Sequence, residues 1–282
     1  MAAKAYLSHQ ERTANEPRDP TLHSVKVRDI EQVVNSIRLI RLVPNETQPT
    51  IKFLPGQWLD VHIPGIYKAG GFTLTSTPED LSPSTDDEYP YLELAIQNAP
   101  SNPAAAWLWR PQHEILKSDL DVRVGGSFTW PPSTIKPERI HKVVLVAGGI
   151  GINPLISICS ALSRSSHINS IKVLYSTRLT TSSSKVLFLE RLNALSQKQS
   201  TTTVQLFLTG STPLERTCES MKAAKLQRIR LDDLIDAIGP ATGRASTICY
   251  VCGPSKMTDD VVKYLAAQEG MDRSRVLCEK WW

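Results

Sequence analysis

The sequence predicts two domains, an antiparallel β-barrel followed by an α/β domain built on a parallel sheet. Three observations predict it. Between residues 25 and 132, short alternating segments are separated by Pro and Gly with no long helical stretch among them, the pattern of an antiparallel barrel or sandwich. Beyond Lys136, strand-like segments alternate with helical ones, which implies a parallel sheet covered on both faces. Charge divides at nearly the same place, for residues 1–138 carry 13 Lys and Arg against 17 Asp and Glu, and residues 139–282 carry 19 against 11. Such an asymmetry suits domains with different partners, the basic one fitted to an anionic ligand.

At 282 residues, with 41% hydrophobic and 21% charged, the chain can bury two ordinary cores. No apolar run approaches the roughly 18 residues of a membrane-spanning helix, and VVLVA at 143–147 is closed off by glycine. Five cysteines are an odd number in a chain too long to need disulfide stapling, which points to a reducing compartment. Nucleic acid is a poor partner: apart from Lys222, Lys225, Arg228 and Arg230 the basic residues are dispersed, without a finger, an arginine-rich arm or an aromatic RNA-binding box. A phosphate-rich small molecule explains the charge more economically.

Residues 1–24 read as a polar, partly ordered arm, with Lys4, Arg12 and Arg18 against Glu11, Glu16 and Asp19. The arm lacks the apolar centre of a signal peptide and is too acidic for a good mitochondrial presequence. The barrel domain spans 25–132, with candidate strands at 35–43, 57–63, 71–76, 91–97 and 121–130 and a polar, Pro-containing loop at 77–90. A linker is expected over 131–139, and the α/β domain over 139–282. Its strands are expected at 143–147, 171–176, 204–209 and 247–251, and its helices at 154–163, 185–195, a basic region after 209, and 256–268.

Two motifs carry chemistry. The first parallel strand runs directly into GGIGINP at 148–154 and then into an apolar helix, which is the order a phosphate-binding turn demands. Gly148, Gly149 and Gly151 allow positive φ and close approach of a ligand to the backbone, and Pro154 suits a first helical turn. A plain strand-to-helix connection is the alternative. The second motif, CYVCGP at 249–254, closes a strand before a helix that Ser255 can cap. A redox disulfide is rejected, because residues i and i+3 of a strand point to opposite faces. Cys252 then stands at the carboxyl end of a parallel strand, where open α/β sheets bind ligands, or else is a buried structural thiol.

These motifs, in this order after a barrel, resemble the ferredoxin-NADP reductase superfamily over about residues 25–282. The sequence is most similar to its oxidoreductase NAD-binding domain-containing protein 1 group. The hallmarks are ERTAN at 11–15, GQW at 56–58, GGF at 70–72, VRVGGSF at 122–128, GGIGINPL at 148–155, CGPxxMTD at 252–259 and EKWW at 279–282. Hallmarks near both ends lead us to expect an untruncated chain.

The resemblance implies that the barrel holds FAD in preference to FMN, and that the α/β domain holds a nicotinamide dinucleotide, NADPH or NADH. Hydride would pass from nicotinamide C4 to flavin N5 at the cleft between them. The superfamily's flavin motif, Arg-x-Tyr-Ser-x-x-Ser-x-Pro, is matched by GGFTLTSTP at 70–78. The match implies Phe72 against the flavin, Thr73 hydrogen-bonding near N5, Leu74 and Thr75 within the contacting segment, and Ser76 toward the phosphates. Gly70 replaces the arginine that clamps the flavin phosphate. A helix opening at Ser101, Asn102 and Pro103 would offer its N–H groups to the diphosphate instead. An ordinary surface helix packing through Trp107 is the alternative.

The ending implies that Trp281 covers the flavin ring, that Trp282 extends past it and that Glu279 supplies a carboxylate for proton and hydride chemistry. Alternatively, the two indoles seal the interdomain seam. Thr73, Cys252 and Glu279 thus take the catalytic roles. The turn Gly148, Gly149, Gly151, Ile152, Asn153 and Pro154, with Cys252, Gly253, Pro254 and Met257, would hold the nicotinamide nucleotide. At the end of the second parallel strand, Ser176, Arg178 and Lys185 would suit an adenosine 2′-phosphate, which favours NADPH modestly, although solvated surface basics are common there. Scattered His and Cys support no metal or iron–sulfur site.

The expectation is therefore an NAD(P)H-dependent flavoprotein oxidoreductase, a monomer with no membrane span, passing electrons to an unidentified protein or small molecule. The resemblance implies a mitochondrial location, or a cytoplasmic one if the arm is no targeting segment. The alternative function is a flavin-free, degenerate reductase acting as a nucleotide-sensing or assembly module.

Overall fold

The computed structural model describes residues 8–34, 36–45, 50–82, 89–179, 185–210 and 219–280. The chain divides into two compact units, one extending to Thr129 and the other spanning Trp130–Lys280.

The first unit has strands β1 (His23–Val34), β2 (Ile37–Pro44), β3 (Trp58–His62), β4 (Gly70–Thr73), β5 (Leu92–Gln97) and β6 (Asp119–Gly125), with short helices α1 (His9–Arg12), α2 (Pro103–Leu108) and α3 (Gln112–Ile115). The sheet order is β4-β3-β6-β1-β2-β5, every pair antiparallel. An isolated bridge between Leu74 and Leu94 joins the two edges, so the sheet closes into a barrel. Val25, Val27, Ile40, Leu42, Leu59 and Leu94 fill its interior.

Three strands depart from expectation: β1, β6 and β4, the last of which ends at Thr73 rather than at residue 76. β1 was not foreseen, because its alternation holds only as far as Arg28 and is then interrupted by register shifts at Val27/Asp29 and Gln32/Val34. The strand expected over 121–130 stops at Gly125, since Gly126 adopts φ +102° and breaks the ladder.

The described part of the arm begins at Ser8, whose hydroxyl caps α1 while Glu11 returns to the Ser8 amide. It then lies along β6, where Asp19 N donates to Val124 O at 2.9 Å and Gly126 N to Pro17 O at 2.9 Å. Its anchor is the fully buried Asp60 on β3, which accepts from Arg18 Nε at 2.9 Å and from Arg123 Nη2 at 2.9 Å, with His9 Nε2 3.2 Å away. Burial alone would raise the Asp60 pKa, but the contacts from His9, Arg18 and Arg123 outweigh it and hold it at about 2.

A carboxyl depressed in the folded state stabilises above its unfolded value of 3.8 and loses that contribution as pH falls through about 2. The stability gap between the wild type and Asp60→Asn, measured by urea unfolding, should narrow by about 2 kcal/mol on going from neutral pH to about pH 2. A gap independent of pH would show that Asp60 is not the ionised centre of this cluster.

The second unit has strands β7 (Lys142–Gly148), β8 (Ser170–Arg178), β9 (Thr202–Thr209), β10 (Thr247–Cys252) and β11 (Val276–Glu279). Its helices are α4 (Ile152–Leu162), α5 (Leu189–Lys198), α6 (Glu219–Lys222), α7 (Leu231–Ile238) and α8 (Ser255–Ala266). The order β11-β10-β7-β8-β9 is parallel throughout. After β7 the chain builds outward through β8 and β9, then returns to place β10 on the other side of β7. The carboxyl ends of β7 and β10 therefore flank the topological switch, where such sheets bind ligands.

Four local expectations are corrected. β11 escaped notice because it is only four residues long and mostly half-buried. Helix α5 starts at Leu189 rather than 185, after Phe188 turns left-handed at φ 59°, which leaves Lys185 in the preceding connection. Ser255 is the first residue of α8 rather than its cap. Lys225 and Arg228 lie in a non-helical connection, and α7 opens on Asp232 and Asp233. Among the described residues, no helix is long and apolar enough to cross a membrane, and no three metal-ligating side chains converge.

Candidate functional site

The α/β unit carries the better-defined group of candidate residues. Strand β7 is buried along Val143–Gly148, and its chain turns through a single 3-10 turn, Gly149–Gly151, into α4. The glycines serve two ends. A Cβ on Gly151 would fall on the Cys252 carbonyl, 2.5 Å from its carbon and 2.7 Å from Gly253 Cα, and one on Gly148 would meet Met257 Sδ and Pro254 Cδ at 2.7 Å. Gly148, Gly151 and Gly253 are therefore required for the two turns to pack backbone against backbone. Gly149 is different, for it takes φ +56° and faces open space with nothing within 4 Å. An open, half-buried backbone bend at the mouth of a parallel sheet is what a phosphate needs to approach. Ile152, Asn153 and Pro154 are buried behind it as the opening turn of α4.

Cys252 ends β10 with no exposed surface, and its Sγ donates to the carbonyl oxygen of Glu279 at 3.7 Å. Burial raises its pKa well above the ordinary value, and Glu279 and Cys278 add to the effect, so the group is a neutral thiol able to donate. Strand β11 places Glu279 in direct register with Cys252, so two residues 27 positions apart in sequence meet side by side. Cys249 and Cys252 are both free thiols, as the strand geometry required. At the end of β8, Ser176 is half-buried and Arg178 exposed, and Lys185 is exposed further along the chain. Neither Arg178 nor Lys185 has an ion-pair partner among the described residues.

In the barrel, the expected flavin segment leaves β4 at Thr73 and crosses to β5. Phe72 is half-buried. The Thr73 hydroxyl has no hydrogen-bond partner among the described residues, although the residue is only 6% exposed. Leu74 is core. Thr75 and Ser76 are buried and bind Glu93, the Thr75 hydroxyl donating to its carboxylate at 2.8 Å and the Ser76 hydroxyl accepting from its amide at 3.0 Å. No arginine could stand at position 70, since a Cβ there would lie 2.6 Å from Ala104 Cβ.

Helix α2 begins at Pro103 under an Asn102 cap, but the Asn102 side chain accepts from Ala104 N at 3.1 Å and Ala105 N at 3.2 Å. Two of the amides set aside for a diphosphate are thus already satisfied, and Trp107 packs on the barrel core. Ser101 is exposed just before the cap. Trp281 and Trp282 lie outside the described residues. Glu93 and Asp60, the two fully buried carboxylates flanking this segment, were not singled out in the sequence, where each looks like one more charge in an alternating strand.

The chain matches the oxidoreductase NAD-binding domain family over residues 145–263. Over its full length it is 30% identical to the oxidoreductase NAD-binding domain-containing protein 1 of Bos taurus, covering 88% of that protein. Among solved structures it is similar to the Amycolatopsis cytochrome P450 reductase, with a TM-score of 0.70 and 21% identity, covering 94% of this chain and 71% of that one. It is also similar to a Neisseria gonorrhoeae ferredoxin NADP+ reductase with bound FAD and NADP, with a TM-score of 0.66 and 15% identity, covering 94% of this chain and 100% of that one. The fold is that of ferredoxin-NADP reductase-type proteins.

Proposed function

Because this chain belongs to the oxidoreductase NAD-binding domain-containing protein 1 family, we propose that it is a flavin-dependent NAD(P)H oxidoreductase. The observation that carries the reading is the pair of turns at the switch between β7 and β10, packed backbone to backbone with Gly149 left open. FAD bound by the barrel would supply the chemistry of taking a hydride from NAD(P)H and passing electrons to a protein or small-molecule acceptor.

The chain's own residues would divide the work. Thr73 would give its unpartnered hydroxyl to the flavin edge, and Phe72 would lie against the ring. The 148–151 turn would take the nucleotide phosphates on its backbone, and the Cys252 thiol, held neutral by burial, would help to orient the nicotinamide at the end of β10. Glu279, brought beside it by β11, would hold or move a proton. Arg178, with Ser176 and Lys185, would meet a 2′-phosphate.

One pair of observations favours a second reading, a flavin-free nucleotide-binding module. Position 70 has no room for a clamp, and Asn102 takes two of the α2 amides. Reconstitution separates the two readings. The purified protein, incubated with FAD and desalted, should retain about one flavin per chain, whereas a colourless protein would leave the module. For cofactor choice, Arg178→Ala should weaken NADPH by about tenfold or more and NADH hardly at all, because a guanidinium grips a phosphate through two donors. Equal changes in both dissociation constants would remove Arg178 as the discriminator.

A further inference from the structure

Thr75 and Ser76 sit in the middle of the segment assigned above to flavin, yet both engage one residue of the protein, Glu93 on β5. The Thr75 amide donates to the Glu93 carbonyl at 2.9 Å, and its hydroxyl donates to the same carbonyl at 3.1 Å and to the carboxylate at 2.8 Å. The Glu93 amide donates to the Ser76 hydroxyl at 3.0 Å. On the neighbouring strand, Arg41 stands in register with Glu93, its Nε 3.3 Å from the second carboxylate oxygen and its guanidinium stacked 4.5 Å from the Tyr91 ring.

Glu93 has no exposed surface, and a carboxylate taken wholly out of water is costly unless it is paired and hydrogen-bonded. Barrel closure does not demand that cost. The Leu74–Leu94 bridge and the backbone bonds already join the edges, and apolar side chains at 75 and 93 would close the same gap. What the charge adds is orientation: it fixes the Thr75 rotamer and the path of the backbone through 74–76. The preceding pair, Gly70 and Gly71, has no side chain to do so, and a Cβ at position 71 would fall inside the His9 ring. Thr73 and Phe72 are two and three residues from this anchor.

We infer that Glu93, backed by Arg41 and acting through Thr75, is a positioning residue that sets the flavin-contacting segment. The inference rests on the flavin reading and deepens it. FAD titration of the apoprotein, followed by flavin fluorescence and by circular dichroism of the bound flavin, tests it with NADP+ affinity measured alongside. Thr75→Val removes the hydroxyl, Thr75→Ser keeps it, and Glu93→Gln keeps the shape while removing the charge.

Thr75→Val and Glu93→Gln should each weaken FAD by about tenfold and alter the flavin dichroism, while NADP+ affinity stays unchanged. Thr75→Ser should restore FAD affinity to within about threefold of the wild type, and the double variant should be no worse than the weaker single, as expected of groups acting through one contact. If both single variants bind FAD as the wild type does, with the same dichroism and only a lower melting temperature, Glu93 is a structural pair and the inference falls. Equal damage from Thr75→Ser and Thr75→Val also overturns it. A wild-type protein that binds no FAD overturns the flavin reading itself, a result distinct from wild-type binding with indifferent variants.

Discussion

Gly151→Ala should lower the stability of the α/β unit by about 3 kcal/mol, at the upper end of what overpacking usually costs, and should weaken nicotinamide nucleotide binding by at least about tenfold. The added methyl would fall on the Cys252 carbonyl and within 2.7 Å of Gly253 Cα. Those are backbone atoms at the carboxyl end of the buried strand β10 and cannot swing aside as a side chain would, so the turns must separate. Gly149→Ala is the control. Its Cβ would meet nothing within 4 Å, and the substitution pays only for φ +56°, roughly 1 kcal/mol. Urea unfolding and calorimetric titration with NADP+ would check both. A Gly151→Ala protein as stable as Gly149→Ala and binding NADP+ normally would mean that the two turns are not locked together.

Cys252→Ala should slow reduction of bound flavin by NAD(P)H about 100-fold, the scale on which small misplacements of reacting groups act, while flavin content and overall stability change little. The thiol is buried at the end of β10 and donates to the Glu279 carbonyl. Its loss leaves a small void beside the place proposed for the nicotinamide and removes one side-chain contact between two strand ends that the backbone ladder still joins. Stopped-flow reduction at an unchanged rate would leave Cys252 a packing thiol and nothing more.

The architecture was legible because its signals are local. Val143–Gly148 is an apolar run ended by glycines, and runs of this kind followed by helical periodicity announce a parallel sheet. The barrel could be read from strand spacing in the same way. What escaped the sequence depends on distant partners. β11 becomes a strand only by pairing with β10, which also brings Glu279 to Cys252. Glu93 and Asp60 are revealed as buried anchors only once Arg41, Arg18, Arg123 and Thr75 arrive from other elements.

The glycine turn shows the limit in finer detail. By sequence, Gly148, Gly149 and Gly151 together make a ligand cradle, whereas in the fold two of them are needed for turn-to-turn packing and, of the three, Gly149 alone faces open space. The Asn102 cap likewise takes up amides that a sequence reading counts as free.

The central claim is that the barrel and the α/β unit work as a flavin reductase, and anaerobic mixing of the FAD-loaded protein with NADPH tests it most directly. The account predicts that the visible flavin absorption bleaches in a single turnover, faster with NADPH than with NADH. Flavin that keeps its colour in the presence of either nucleotide, or a protein that retains no FAD to be bleached, would contradict it.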